Sequence, residues 1–127
     1  MSDPIPVYDA VGGLPFFEQL VDRFYDKVAS DQVLLSVYPQ PEDLAWARRR
    51  LALFLSEYWG GPPAYSAERG HPMLRRRHFA FAIGTAERDR WLEHMRTALD
   101  EMSPRPEIAR LLLDYFNMGA DMVRNRD

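Results

Sequence analysis

The 127-residue chain has no cysteine. Disulfides, thiolate metal sites and cysteine nucleophiles are thereby excluded. It also lacks any run near the roughly 18 consecutive apolar residues that a membrane-spanning helix needs. The opening "MSDPIPVYDAVGG" has neither a basic start nor an apolar stretch, so it does not read as a signal peptide. Positive charge is not in excess: 16 Lys and Arg stand against 19 Asp and Glu, a net charge of −3. That balance argues against a chain built to bind nucleic acid. No segment alternates with period two, so strands are not expected. Internal repeats, low-complexity tracts and flavin or nicotinamide motifs are absent as well. What these absences leave is a soluble, cytoplasmic domain spanning residues 1–127.

Apolar residues make up 46% of the chain, enough for a core. From Pro15 to Ser30 they fall at Phe17, Leu20, Val21, Phe24, Tyr25 and Val28, which is helical spacing. A short helix is expected within residues 5–11, ahead of the break at Gly12 and Gly13. After the turn "YPQPED", a second long helix is expected from Asp43 to Tyr58. Its apolar face carries Leu44, Ala47, Leu51, Phe54, Leu55 and Tyr58. "GGPP" ends it. Residues 62–71 read as a loop, unusually long for so small a helical domain, followed by a short helix over Pro72–His78. A third long helix is expected with Thr85 as N-cap and Glu87 and Asp89 near the positive end of its dipole. Its period places Trp91, Leu92, Met95, Ala98, Leu99 and Met102 together. "SPRP" breaks it, and a last helix over Glu107–Val123 turns Ile108, Leu111, Leu112, Tyr115, Phe116 and Met122 inward. The expected class is all-α.

The stretch "RGHPMLRRRHFAF", residues 69–81, carries the densest chemistry. Its three arginines, Arg75 to Arg77, would point about 100° apart on a helix and form no single basic face. A protein-only metal site has weak support. Di-iron bundles need two Glu-x-x-His pairs, and Glu68-x-x-His71 is the single match; the HExxH zinc motif is absent. A lone cofactor-ligating histidine is a third reading, with His78 four residues after Leu74 on the same face. Trp91, Tyr25 and Tyr38 are large residues with polar tips on or beside apolar faces. Buried indole N–H and phenol O–H groups need partners, either backbone carbonyls or a bound ligand, and spacing alone leaves both open.

Several segments, in order, carry a family likeness: "YDAVGG" at 8–13, "RFYDKV" at 23–28, "VYP" at 37–39, "EYWGGPPAYSAERGHPMLRRRHFAF" at 57–81 and "ERDRWLEHM" at 87–95. With these the chain resembles a truncated haemoglobin of group II. The resemblance covers most of the chain up to Met102; the final helix matches by pattern more than by motif. It implies a shortened globin fold, a two-over-two arrangement of helices around haem b (iron protoporphyrin IX). It also implies that His78, which closes the "R.RH" segment, is the proximal iron ligand, leaving the opposite axial position open to a gas. On the distal side it implies Tyr25, Tyr38 and Trp91 as hydrogen-bond donors. Ala47 then stands where a distal histidine is usual, and Leu51 and Phe54 line the pocket. Arg77, Arg50 and His71 are the candidates for meeting the haem propionates, and Phe81 for packing on the porphyrin. One departure is "QP" at 40–41, which lengthens the turn after Tyr38.

The implied function is binding of oxygen and other small ligands (nitric oxide, carbon monoxide, sulfide). Two or three donors aimed at a partly negative ligand would slow its escape, which suits redox or ligand-processing chemistry better than bulk oxygen transport. Nitric oxide dioxygenation and peroxide reduction are the candidate activities, and either would need an external reductase. Self-association into a homo-oligomer is compatible with the sequence. The rival reading is a haem-free helical interaction module with His78 and Trp91 in its core.

Overall fold

The computed structural model describes residues 6–38, 43–69 and 83–124. Seven helices lie within them: α1 (Val7–Ala10), α2 (Leu14–Val28), α3 (Gln32–Leu35), α4 (Ala45–Tyr58), α5 (Ala64–Arg69), α6 (Thr85–Met102) and α7 (Pro106–Val123). No strand occurs among these residues, and no helix is long and apolar enough to cross a membrane. The short helix expected over Pro72–His78 and the insertion at 40–41 lie outside the described residues.

The four long helices form two packed pairs, α2 with α4 and α6 with α7, joined where α2 crosses onto α6. One cluster of buried side chains runs through all four. In α2 the 3.6-residue period buries Phe17, Leu20, Val21, Phe24, Tyr25 and Val28, as its spacing predicts. Pro15 sits in its first turn, where a missing N–H leaves no bond unmade. In α6 the same period buries Met95, Ala98 and Leu99. Ser103 ends α6 in the left-handed conformation, with Pro104 immediately after.

The α4–α5 corner shows why two glycines follow Trp59. Gly60 has φ +110°, which L side chains rarely adopt, and it lies just past the helix end. At Gly61 the reason is space: a Cβ there would stand 2.6 Å from the Tyr8 ring and 2.8 Å from the Ser56 carbonyl oxygen. The backbone N–H of Tyr8 in turn donates to the Trp59 carbonyl at 3.0 Å. The N-terminal segment is thereby clamped against the end of α4.

Five local expectations need correction. Residues 62–71 are not all loop, because α5 starts at Ala64. Pro62 and Pro63 stop α4 from continuing but are harmless ahead of a helix start, and Glu57 accepts from both the Ser66 N–H (3.0 Å) and its hydroxyl (2.6 Å). The four-residue helix α3 falls where no helix is expected. Thr85 is not the N-cap of α6: Gly84 holds that position, with no side-chain cap, and Thr85 is the first helical residue. Leu111 and Met122 do not point inward; they are 50% and 44% exposed, because α7 buries the stripe Ile108, Leu112, Phe116 and Ala120 instead. Tyr58, expected on the inner face of α4, is 51% exposed and lies against Tyr115, ring centroids 4.1 Å apart.

Candidate functional site

Tyr25, Tyr38 and Trp91 reach one place from three separate segments. Tyr25 comes from the last turn of α2 and is buried. Tyr38 follows α3, where its backbone N–H donates to the Leu35 carbonyl at 3.1 Å and continues that turn. Trp91 sits in the second turn of α6. The Tyr38 hydroxyl donates to the Tyr25 hydroxyl at 3.5 Å, and the two rings meet edge to face with centroids 5.7 Å apart. Phe24 packs between the segments, 4.8 Å from Tyr25 and 5.0 Å from Trp91 between ring centroids. Phe116 of α7 closes on Trp91 from the other side at 5.8 Å.

The electrostatics keep both phenols protonated. Burial pushes the Tyr38 hydroxyl up to about 12, an effect that the neighbouring Tyr25 hydroxyl and Trp91 indole only partly offset. Burial raises Tyr25 well above the usual tyrosine value too. Its neighbour Tyr38 adds to this, and the Arg48 guanidinium, 5.9 Å from the Tyr25 ring centre, opposes it weakly. At neutral pH the cluster therefore offers neutral O–H and N–H groups and no negative charge.

The expected pocket residues of α4 share one face of that helix. Ala47 is buried, while Leu51 and Phe54, one and two turns on along the same face, are only partly so. Arg50 is stacked on the Trp46 ring, its guanidinium carbon 4.8 Å from the centroid. The Trp46 indole N–H is buried and has no hydrogen-bond partner among the described residues. His78, His71, Arg77 and Phe81 lie outside the described residues, as do Arg75 and Arg76. Glu68, half of the Glu-x-x-His match, is paired with Arg49. No group of three or more metal-ligating side chains occurs among the described residues.

The bacterial-like globin family model matches residues 6–125. The chain belongs to that family. It is 40% identical to the group 2 truncated hemoglobin YjbI of Bacillus subtilis over 94% of its own length and 88% of the relative's. Its fold superposes with a TM-score of 0.92 on the thermostable hemoglobin of Thermobifida fusca, at 49% identity, covering 95% of this chain and 98% of that one. The group II two-on-two hemoglobin of Agrobacterium tumefaciens gives a TM-score of 0.91 at 33% identity, covering 99% of this chain and 98% of that one. The fold is thus the truncated two-over-two globin fold, and membership of this family makes the protein a haem protein that binds small diatomic ligands.

The described residues of this globin fit a haem. One face of α4 carries the apolar side chains Ala47, Leu51 and Phe54, with the unpartnered Trp46 N–H one residue away. The polar tips that converge on Tyr38 are neutral O–H and N–H groups, not charges. Two features escaped sequence reasoning. The orphaned Trp46 N–H carries no periodic signature, since Trp46 reads as one more aromatic beside an apolar face. The other is a buried carboxylate, Asp31, that accepts from Arg90 and His94 of α6. An acidic residue immediately before a short apolar run is an N-cap signal, and Arg90 and His94 are spaced i, i+4; those signals were available.

Proposed function

We propose that this globin uses Trp91, Tyr38 and Tyr25 as a distal hydrogen-bond set for a diatomic ligand on haem b, with His78 as the proximal iron ligand. One observation carries the proposal. Three polar aromatic tips from three segments meet inside an otherwise apolar core, and burial holds the phenols in their donating form. When bound, the haem iron supplies the ligand-binding and redox chemistry. The chain's own residues do the rest. Trp91 offers its N–H, and the hydrogen-bonded Tyr38–Tyr25 pair offers its one remaining O–H, to a ligand that takes on partial negative charge, and Ala47 leaves no competing polar group on α4. Arg50, Arg77 and His71 are the proposed partners of the propionates, and Phe81 packs on the macrocycle.

A net hydrogen bond of roughly 1–1.5 kcal/mol slows ligand escape by about tenfold. Two such donors make release too slow for bulk oxygen delivery. The proposed role is therefore cytoplasmic redox chemistry on oxygen, nitric oxide, peroxide or sulfide, with electrons from an external reductase, carried out by residues 1–127 as one domain. Purified protein should show a Soret band after haem addition, and His78→Ala should loosen or abolish binding. Trp91→Phe should raise the oxygen dissociation rate about tenfold. An unchanged rate would mean that Trp91 is packing and not a donor.

A further inference from the structure

Asp31 is a carboxylate in an unusual place. Its side chain is only 6% exposed, yet it accepts five hydrogen bonds. Two come from the backbone N–H groups of Val33 and Leu34 (3.1 and 3.3 Å), which cap the start of α3. The other three come from α6: Arg90 Nη1 reaches both oxygens at 3.2 Å, and His94 Nε2 lies 2.8 Å from Oδ2. Burial alone would raise this carboxyl, but the bonds from His94, Arg90 and Leu34 outweigh it and hold it below the ordinary aspartate value. It is an ionised acceptor with its lone pairs engaged on two elements at once.

Of those two elements, α6 carries Trp91 and α3 leads directly into Tyr38. Arg90 and His94 are one turn apart on α6 and bracket Trp91. Asp31 opens the turn that runs through α3 to Tyr38. Nothing else ties α3 to α6 by charge among the described residues. We infer that Asp31, with Arg90 and His94, is a positioning latch that fixes the segment bearing Tyr38 against the helix bearing Trp91, and so sets the spacing of the distal donors. Asp31 itself touches neither donor tip. The inference rests on the distal-donor reading above.

The test uses haem-loaded protein with carbon monoxide bound and follows the Trp91 indole ¹H–¹⁵N resonance, together with oxygen dissociation rates. Asp31→Asn keeps a good helix cap but removes the charge. His94→Leu removes one donor and His94→Gln restores an N–H near the same place. Asp31→Asn and His94→Leu should shift and broaden the Trp91 indole resonance and speed oxygen release about threefold, a fraction of the change expected for losing Trp91's own bond. His94→Gln should return both towards wild type. In a Trp91→Phe, Tyr38→Phe background, Asp31→Asn should have no further kinetic effect, because the latch acts only through those two residues. An indole resonance that stays in place in Asp31→Asn and His94→Leu overturns the latch, whatever the kinetics do. A kinetic effect that persists in the double-substituted background overturns it too. If Trp91→Phe and Tyr38→Phe leave the rate unchanged while the indole resonance still moves in Asp31→Asn, the distal-donor reading has failed and the geometric role of Asp31 stands.

Discussion

Two regions of this globin belong to one core and are built in opposite ways. At the foot of α2, Phe17, Leu20 and Val21 belong to the same core as Leu55, Leu99 and Leu112, and none of these six side chains has a polar atom. At its other end, about one turn beyond Val21, Tyr25 meets Tyr38, which the Trp91 indole also reaches, and all three have polar tips. Burial is therefore a poor guide to role on its own. The apolar cluster gains from burial alone and is indifferent to the identity of a ligand. The aromatic cluster gains area too, but every polar tip must find a partner or lose hydration uncompensated. A site that will receive a polar ligand can carry that requirement, and an ordinary core rarely does.

The strongest way to break this contrast is to cut into the apolar end. Phe17 is fully buried between Tyr8 and Phe16, with ring centroids 6.4 and 5.4 Å away. Phe17→Ala should cost roughly 3–5 kcal/mol of stability in denaturant unfolding. In the molecules that remain folded, ligand kinetics should match wild type. A large change in oxygen release without a large loss of stability would show that the two regions are not separable.

Alkali should strike the other region first. The protein has six tyrosines. Tyr25, Tyr38 and Tyr115 are held protonated chiefly by burial. Their folded values lie above the unfolded value of about 10, so the unfolded chain loses protons that the folded chain keeps. Stability from this source is complete below about pH 10 and is lost as pH rises from there through the folded value, about 12 for Tyr38. Phenolate absorbance should accordingly show these three groups titrating only with unfolding. Smooth ionisation of Tyr25 and Tyr38 near pH 10, with the fold intact, would remove the case for a protected donor set.

Smaller substitutions sharpen the contrast inside the aromatic region. Trp91→Phe keeps an aromatic ring against Phe24 and Phe116 and deletes one N–H. Its stability cost should stay near 1 kcal/mol while oxygen release rises about tenfold. Tyr38→Phe should act in the same direction and should also lower the folded pKa of Tyr25, since Tyr38 is one of the causes that raise it. Stopped-flow dissociation rates and alkaline difference spectra measure the two effects separately.

How much of this was legible in the sequence depended on length and on sign. The long helices announced themselves because four turns of 3.6-residue period cannot arise easily by chance, and Tyr25 and Trp91 fell on their inner faces. The four residues of α3 are too few to show a period, and what specifies them is the side chain of Asp31 rather than any pattern of apolar residues. In α7 the period was right but the inward face was drawn too wide: Ile108, Leu112 and Phe116 are buried, Leu111 and Met122 are not. Leu111, Tyr115, Met118 and Met122 form one apolar stripe and Ile108, Leu112, Phe116 and Ala120 another, and only packing on α6 selects the second. The prolines at 62 and 63 were read as a stop, which they are for α4, although they also stand well before a new helix. The meeting of Tyr25, Tyr38 and Trp91 was reachable only through family likeness, because contacts between residues 13 and 53 positions apart leave no local trace.

The smallest effect concerns the far end of α6. There Glu101 accepts from Lys27 at 3.0 Å and from Arg23 at 3.3 Å, again joining α6 to an earlier element by charge. On paper this resembles the Asp31 cluster, with one carboxylate and two cationic partners. The difference is water. Glu101's side chain is 39% exposed and Arg23's 46%, against 6% for Asp31. Exposed pairs are screened and lose side-chain entropy on forming, so they contribute little. A buried carboxylate stripped of its charge leaves its donors without the acceptor they were placed for. Glu101→Gln should leave the denaturation midpoint unmoved within error, and Asp31→Asn should lower it measurably. High salt should erase whatever trace Glu101 contributes and leave the Asp31 difference standing. Equal losses from the two substitutions would mean that α6 is pinned by charge at both ends, and the Trp91 end would lose its claim to special treatment.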